Sequence, residues 1–260
     1  MVGVIGGSGL YEMAGFRKAE DRLVKTPYGE PSGPYTIGEL SGIEVAFLPR
    51  HGPAHRIPPD RINYRANIWG FRELGVERII SVSASGGINR EYLPGEIVLL
   101  DQVIDMVQGM RPCTFYGKDE VVHVDFTEPY CPELRQSVIE AGKKAGIGLR
   151  KTGTYICVNG PRLESRAEIR FFGMIGADVV GMTGMPETSL ARELEICFAG
   201  LTVVTNYAAG ISERKLTTVE VVEKMKESTE RIKLLLRETL ASIPGERGCP
   251  CREALKDARM

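Results

Sequence analysis

RIISVSASGG, Arg78 to Gly87, decides the fold. The β-branched content and short length of RIISVSAS argue for a strand rather than a helix, and the two glycines bound it. Working outward, DRINYRANIWGFRELG at 60–75 precedes it with a helical pattern, Asp60 standing as N-cap and Gly75 as C-cap. Similar strand-like runs recur: VGVI at 2–5, IEVAFL at 43–48, EIVLLDQVI at 96–104, TYICV at 154–158, ADVVGMT at 177–183 and LTVVTNY at 201–207. Helical segments alternate with them over 132–145, about 165–175 and 187–199, and 217–242. Pro132 suits a first helical turn, and Thr217 with Glu220 has capping-box spacing. Strands alternating with helices predict an α/β architecture, a central mixed or parallel β-sheet flanked by helices, in one domain over 1–260.

Composition narrows the function. Lys and Arg total 33 against 34 Asp and Glu, and no basic run offers a surface for nucleic acid or anionic lipid. The N-terminal MVGVIGGSGLYEM has no basic leader, no run reaches the length of a membrane span, and the chain reads as cytoplasmic. Of six cysteines, Cys113, Cys131, Cys157 and Cys197 sit in apolar or loop contexts where buried free thiols are common. Cys249-Pro-Cys251 lies in a charged tail after Pro244 that reads as loosely attached unless its cysteines pin it. A lone CxC in a chain with three histidines is weak support for zinc.

Chemistry gathers at strand ends. IGGSGL, Ile5 to Leu10, is either a tight turn or a phosphate nest in which Ser8 adds a hydroxyl. It is neither GxGxxG nor a P-loop. LPRHG, Leu48 to Gly52, is a solvated loop or an anion site in which Arg50 offers a fork of donors and His51 another. SASGG at 83–87 and GMTG at 181–184 each supply a hydroxyl and backbone amides. Donors without acidic residues, converging beyond strand carboxyl ends, describe an oxyanion site.

IGGSGL, PRHG, NYRANIW, GGINREYLPGEIVLLDQVID, PRLESRAE, GADVVGMTGMPE and ARELEICFA, in this order, resemble the purine nucleoside and methylthioadenosine phosphorylases over about residues 2–240. The similarity is greatest to the methylthioadenosine branch. The resemblance implies a mixed sheet flanked by helices, trimers or hexamers built as dimers of trimers, and phosphorolysis of a purine nucleoside to base and ribose 1-phosphate. It implies a phosphate site of Ser8, Arg50, His51, Ser83, Ala84 and Thr183, with Met182 beneath the ribose. His123 corresponds to a residue that reaches the 5′ end of a neighbouring subunit's substrate. Orthophosphate is an anionic nucleophile already, so positioning and electrostatics carry the reaction, with Arg50, His51 and Asn206 as the catalytic set and no cofactor or metal.

The base end departs from that branch. Asn206 and Ala208 stand where it has two aspartates, and Glu164 where it has a serine. The members that act on inosine and guanosine have Glu and Asn in comparable roles. An Asn amide donates to O6 and engages N7, while the Glu164 carboxylate accepts from N1–H. Such hydrogen bonding discriminates by about 10⁴–10⁵. In isolation Glu164 also fits a helix N-terminal acid. The substrate set is therefore Leu163, Glu164, Met182, Asn206 and Ala208, with His123, Val219 and Val222 at the 5′ end. Val219 and Val222 correspond to residues around a methylthio group, or are core contacts of a helix.

The expectation is a 6-oxopurine nucleoside phosphorylase, with a methylthioadenosine or methylthioinosine phosphorylase as alternative. A nucleoside hydrolase fits less well, for the chain has anion loops and no Asp cluster for calcium, and a non-catalytic nucleotide-binding module would not need the phosphate set. Family members from hot environments carry CxC disulfides, so by that analogy Cys249 pairs with Cys251 and Cys131 with Cys197, pinning residues 245–260.

Overall fold

The computed structural model describes residues 1–7, 13–109, 111–117, 120–213 and 217–260. In chain order its elements are β1 (Val2–Gly6), β2 (Arg17–Arg22), β3 (Tyr35–Leu40), β4 (Ile43–Pro49), α1 (Tyr64–Glu73), β5 (Arg78–Gly87), β6 (Ile97–Leu99), β7 (Gln102–Asp105) and α2 (Pro132–Lys144). There follow β8 (Leu149–Arg150), β9 (Thr154–Cys157), α3 (Arg166–Met174), β10 (Val179–Gly181), α4 (Gly184–Glu193), β11 (Cys197–Tyr207) and α5 (Thr218–Ser242). The eleven strands form one mixed sheet. Helices cover both faces, which is why the central strands are apolar throughout rather than alternating. On β11, Cys197, Ala199, Leu201 and Val203 pack with α2 and α5, while Phe198 and Val204 pack with α1 and α4. A third apolar cluster joins Ile169 and Phe172 of α3 to Val180 and Ala208.

The strand quoted first is the axis of the sheet. One edge of β5 pairs with parallel β1, Ile5 opposite Ser81, and then with antiparallel β10, Val180 opposite Gly86. The other edge runs along parallel β11 from Arg78 to Gly87. Among the described residues nothing continues the first ladder between Ser81 and Gly86. The sheet splits there, and Ser83 and Ala84 lie in the split. They are mid-strand, where the glycines suggested an end.

Other local expectations shift for physical reasons. α1 starts at Tyr64 because Asn63, not Asp60, accepts from Ala66 N at 3.1 Å. EIVLLDQVI breaks into β6 and β7 at Asp101, whose carboxylate accepts from Gly153 N at 2.8 Å. The helix expected over 187–199 ends at Glu193, and its last residues enter β11, where burial on alternate faces outweighs helical spacing. β2, fully exposed and charged, gave no apolar signal. Among the described residues no helix is long and apolar enough to cross a membrane.

The tail is docked rather than loose. Gly248 N donates to Glu133 at 2.6 Å, Arg247 to the Glu195 carbonyl at 2.7 Å, and His123 N to the Ala258 carbonyl at 2.8 Å. All six cysteines are free thiols, so neither expected disulfide is formed in this structure, and Cys113 is exposed rather than buried. Cys131, Cys197, Cys249 and Cys251 nevertheless converge, their sulfurs all within 4.8 Å of one another in the core.

Candidate active site

Arg50 follows β4 and turns into the split. Its Nη1 donates to the Val82 carbonyl at 3.0 Å, and its Nε and Nη2 to Glu187 at 2.5 and 3.0 Å. Its backbone N donates to the Gly6 carbonyl at 3.1 Å, bringing the β1 turn alongside. Ser8, expected on that turn, lies outside the described residues.

His51 has a ring nitrogen, Nδ1, 2.8 Å from the Ile57 carbonyl and stacks on His55 at 4.1 Å. Burial and the adjacent Arg50 charge hold its pKa down to about 4, so the ring is neutral near pH 7. With Nδ1–H donated to that carbonyl, Nε2 is left as an acceptor. In that tautomer Nε2 offers a lone pair rather than the N–H expected of a donor.

β10 reaches the split from the opposite direction. Continuing its antiparallel register with β5 brings Met182 and Thr183 back beside Ala84 and Ser83. Thr183 precedes α4 without making a capping bond through its side chain. Arg111 braces this segment, donating through Nη1 to the carbonyls of Met182 at 2.7 Å and Met185 at 2.8 Å. So the register brings Ser83, Ala84, Met182 and Thr183 to the split into which Arg50 turns, with His51 next to Arg50 in the chain.

Asn206 sits one residue past a bulge: Val204 pairs with Ser85 and Asn206 with Gly86, leaving Thr205 as the extra residue. A bulge re-aims the side chains beyond it. Asn206 is 8% exposed, its Oδ1 accepting from Thr205 at 2.8 Å and its Nδ2 donating to the Tyr207 carbonyl at 2.9 Å. One amide hydrogen and one lone pair remain for a ligand. Ala208 is buried against α3 in the third cluster.

Glu164 precedes α3. The helix is capped by Ser165 and Glu168, whose carboxylate also pairs with Arg162, so Glu164 is not the first-turn acid. Burial raises its carboxyl pKa. Beside it, Leu163 is exposed. Arg166 lies over Gly210, drawing the start of α3 to the loop after Asn206. A cavity of about 510 Å³ opens there, lined by Arg90, Arg166, Tyr207 and the segment from Gly210 to Glu213. None of the described residues of the expected phosphate and substrate sets lines it. His123, Val219 and Val222 are exposed on this chain, away from the core, so the core-contact reading of the two valines does not hold here.

The phosphorylase superfamily model matches residues 1–241. The chain belongs to the phosphorylase superfamily. A phosphorylase uses orthophosphate as glycosyl acceptor. A "Probable S-methyl-5'-thioinosine phosphorylase" of Thermodesulfovibrio yellowstonii is 54% identical, with 99% of this chain and 96% of that one covered. A "6-oxopurine nucleoside phosphorylase" of Pyrococcus furiosus is 52% identical, with 99% and 98% covered. Among solved structures, a methylthioadenosine phosphorylase from an antarctic soil metagenomic library superposes with a TM-score of 0.93 at 37% identity, covering 100% of this chain and 92% of that one. Around the candidate site, sequence reading missed Ser81 and Glu187, which engage Arg50, and Arg111, which braces Met182. Glu187 stood in the quoted GMTGMPE run, but as an acid in a helical first turn it carried no sign of its partner.

Proposed function

We propose that the protein is a 6-oxopurine nucleoside phosphorylase: inosine or guanosine and orthophosphate give the free base and ribose 1-phosphate. The observation that carries this reading is Asn206, set past the bulge of β11 with one donor and one acceptor spare, while Glu164, at the start of an α3 drawn to the loop after Asn206, takes no part in capping that helix. The spare Nδ2 hydrogen of Asn206 donates to O6 while negative charge builds on the leaving purine, and its Oδ1 accepts from N7 once solvent has protonated that nitrogen. Glu164 accepts from N1–H. The ribose, over Met182, becomes oxocarbenium-like, and the phosphate among Ser8, Arg50, His51, Ser83, Ala84 and Thr183 attacks it as an anion needing no general base. The scheme calls for no metal or organic cofactor.

A second reading has its own support. The 54% identical relative carries a methylthioinosine name, and Val219 and Val222 present apolar side chains, 62% and 65% exposed, at the start of α5. Methylthioinosine shares the 6-oxo base and differs only at the 5′ end. Rates on inosine, guanosine, methylthioinosine and methylthioadenosine, with and without phosphate, separate the cases. We expect 6-oxo nucleosides to be preferred and cleavage to require phosphate. A strong preference for methylthioadenosine would end the specificity claim, and cleavage unchanged by omitting phosphate would make the protein a hydrolase.

We place the protein in the cytoplasm as a trimer or hexamer, in which the exposed His123 reaches the neighbour's 5′ site. The sulfurs of Cys131, Cys197, Cys249 and Cys251 converge, with Cys197 Sγ 3.3 Å from Cys249 Sγ, and by family analogy we place oxidation of the tail there as Cys249–Cys251 and Cys131–Cys197.

A further inference from the structure

Arg50 is mostly spent before any ligand arrives. Of the five N–H groups of a guanidinium, the protein takes four. Nε and one Nη2 hydrogen go to the two oxygens of Glu187, the other Nη2 hydrogen to Ser81 Oγ at 2.5 Å, and one Nη1 hydrogen to the Val82 carbonyl. Ser81 Oγ passes its own hydrogen to Glu187 Oε2 at 3.1 Å, closing the network. Glu187 is 0% exposed, Arg50 3% and Ser81 6%.

A buried ion pair is a poor route to stability, because desolvating both charges offsets their attraction and apolar residues often serve as well. What such a pair does supply is geometry. The bidentate fork fixes the plane of the guanidinium, and the two further bonds fix its rotation. One Nη1 hydrogen is left.

We propose that Glu187, seconded by Ser81, is a positioning residue of the phosphate site: it clamps Arg50 so that a single N–H faces the anion. The phosphate is held through that one directed donor, and the strength of the contact depends on the guanidinium plane that Glu187 sets. The clamp therefore serves orientation of the nucleophile.

This inference rests on the phosphorylase reading above. The experiment is steady-state kinetics of the full-length protein and of Glu187→Gln, Glu187→Asp and Ser81→Ala, varying phosphate at saturating inosine and the reverse, with melting temperatures alongside. An unaltered protein that shows no dependence on phosphate removes the phosphorylase reading itself. Given that dependence, Glu187→Gln, which faces an amide hydrogen to the fork, is expected to raise the phosphate KM about tenfold or more and leave the nucleoside KM within about twofold. Glu187→Asp recovers part of the loss, and Ser81→Ala raises the phosphate KM about threefold. A merely structural role lowers the melting temperature and the active fraction with both KM values unchanged. A phosphate KM within twofold of the unaltered protein in folded Glu187→Gln overturns the proposal. Should that variant not fold, an unchanged phosphate KM in Ser81→Ala does so.

Discussion

Asn206 and His51 show how much depends on a single polar atom. Asn206 can turn a donor toward O6, and Asn206→Asp replaces that donor with a carboxylate that repels it. The expected result is a loss of about 10²-fold in kcat/KM for inosine and a smaller loss for adenosine, read from parallel rate measurements. An unchanged ratio would mean that Asn206 does not read the base. His51 titrates near 4 because burial and Arg50 disfavour the imidazolium. Above its ordinary value of about 6.5 the ring is neutral in both folded and unfolded chains. Below that value the unfolded chain takes up a proton that the folded chain refuses until about pH 4, so stability falls over that interval as pH falls. His51→Gln is expected to flatten this part of the slope, checked by urea midpoints at about pH 7, 5.5 and 4.5. Parallel slopes for the two proteins would discount the shift.

At the scale of elements, α1 meets the sheet so closely that a glycine is needed in mid-helix. A Cβ at Gly70 would land on the ring of Tyr35, which is fully buried and donates its hydroxyl to the Asn67 carbonyl at 2.7 Å. Alanine ordinarily favours a helix interior by about 0.5–1 kcal/mol over glycine. Overpacking costs about 1–3 kcal/mol, so here packing wins. Gly70→Ala is expected to lower the melting temperature by about 3–6 °C in calorimetry. A rise would show that Tyr35 yields. Pairs of elements also account for most differences from the sequence reading. ICFA has an apolar run that suits either helix or strand, and only the covered faces of β11 choose strand. β2 is held by the exposed edge of β3 and needs no apolar pattern of its own.

At the scale of the molecule, the four converging sulfurs and Asn206, the proposed base reader, stand at opposite ends of β11. Cys197 and Asn206 are separated by about 30 Å of extended chain. Sulfur chemistry at one end can therefore tie down the tail without touching the reaction. Intact mass of the natively purified protein, alkylated with and without prior reduction, is expected to show four protected thiols. Cys113 and Cys157 are left unpaired in that count. Full alkylation of the denatured protein without reductant rejects both bonds. The same pinning carries a mechanical corollary, since the backbone of His123 hydrogen-bonds to Ala258 and Val122 bridges to Arg259.

The sequence by itself determined the class of architecture, the strand tips that carry hydroxyls and glycines, and the residues on which the proposed reading of the purine rests. These are local properties: period, turn chemistry, and which side chain stands beside Glu164 or Asn206. It could not determine that β10 runs against β5, because strand direction is set by where the intervening chain packs. Nor could it show that Arg50 arrives already engaged by Glu187, 137 residues away in the chain. Hydrogen bonds over that distance exist only once the sheet has split between β1 and β10, and the split is a product of tertiary packing. The proposed choice of purine rests on residues legible in the sequence; how Arg50 is held was decided by the fold.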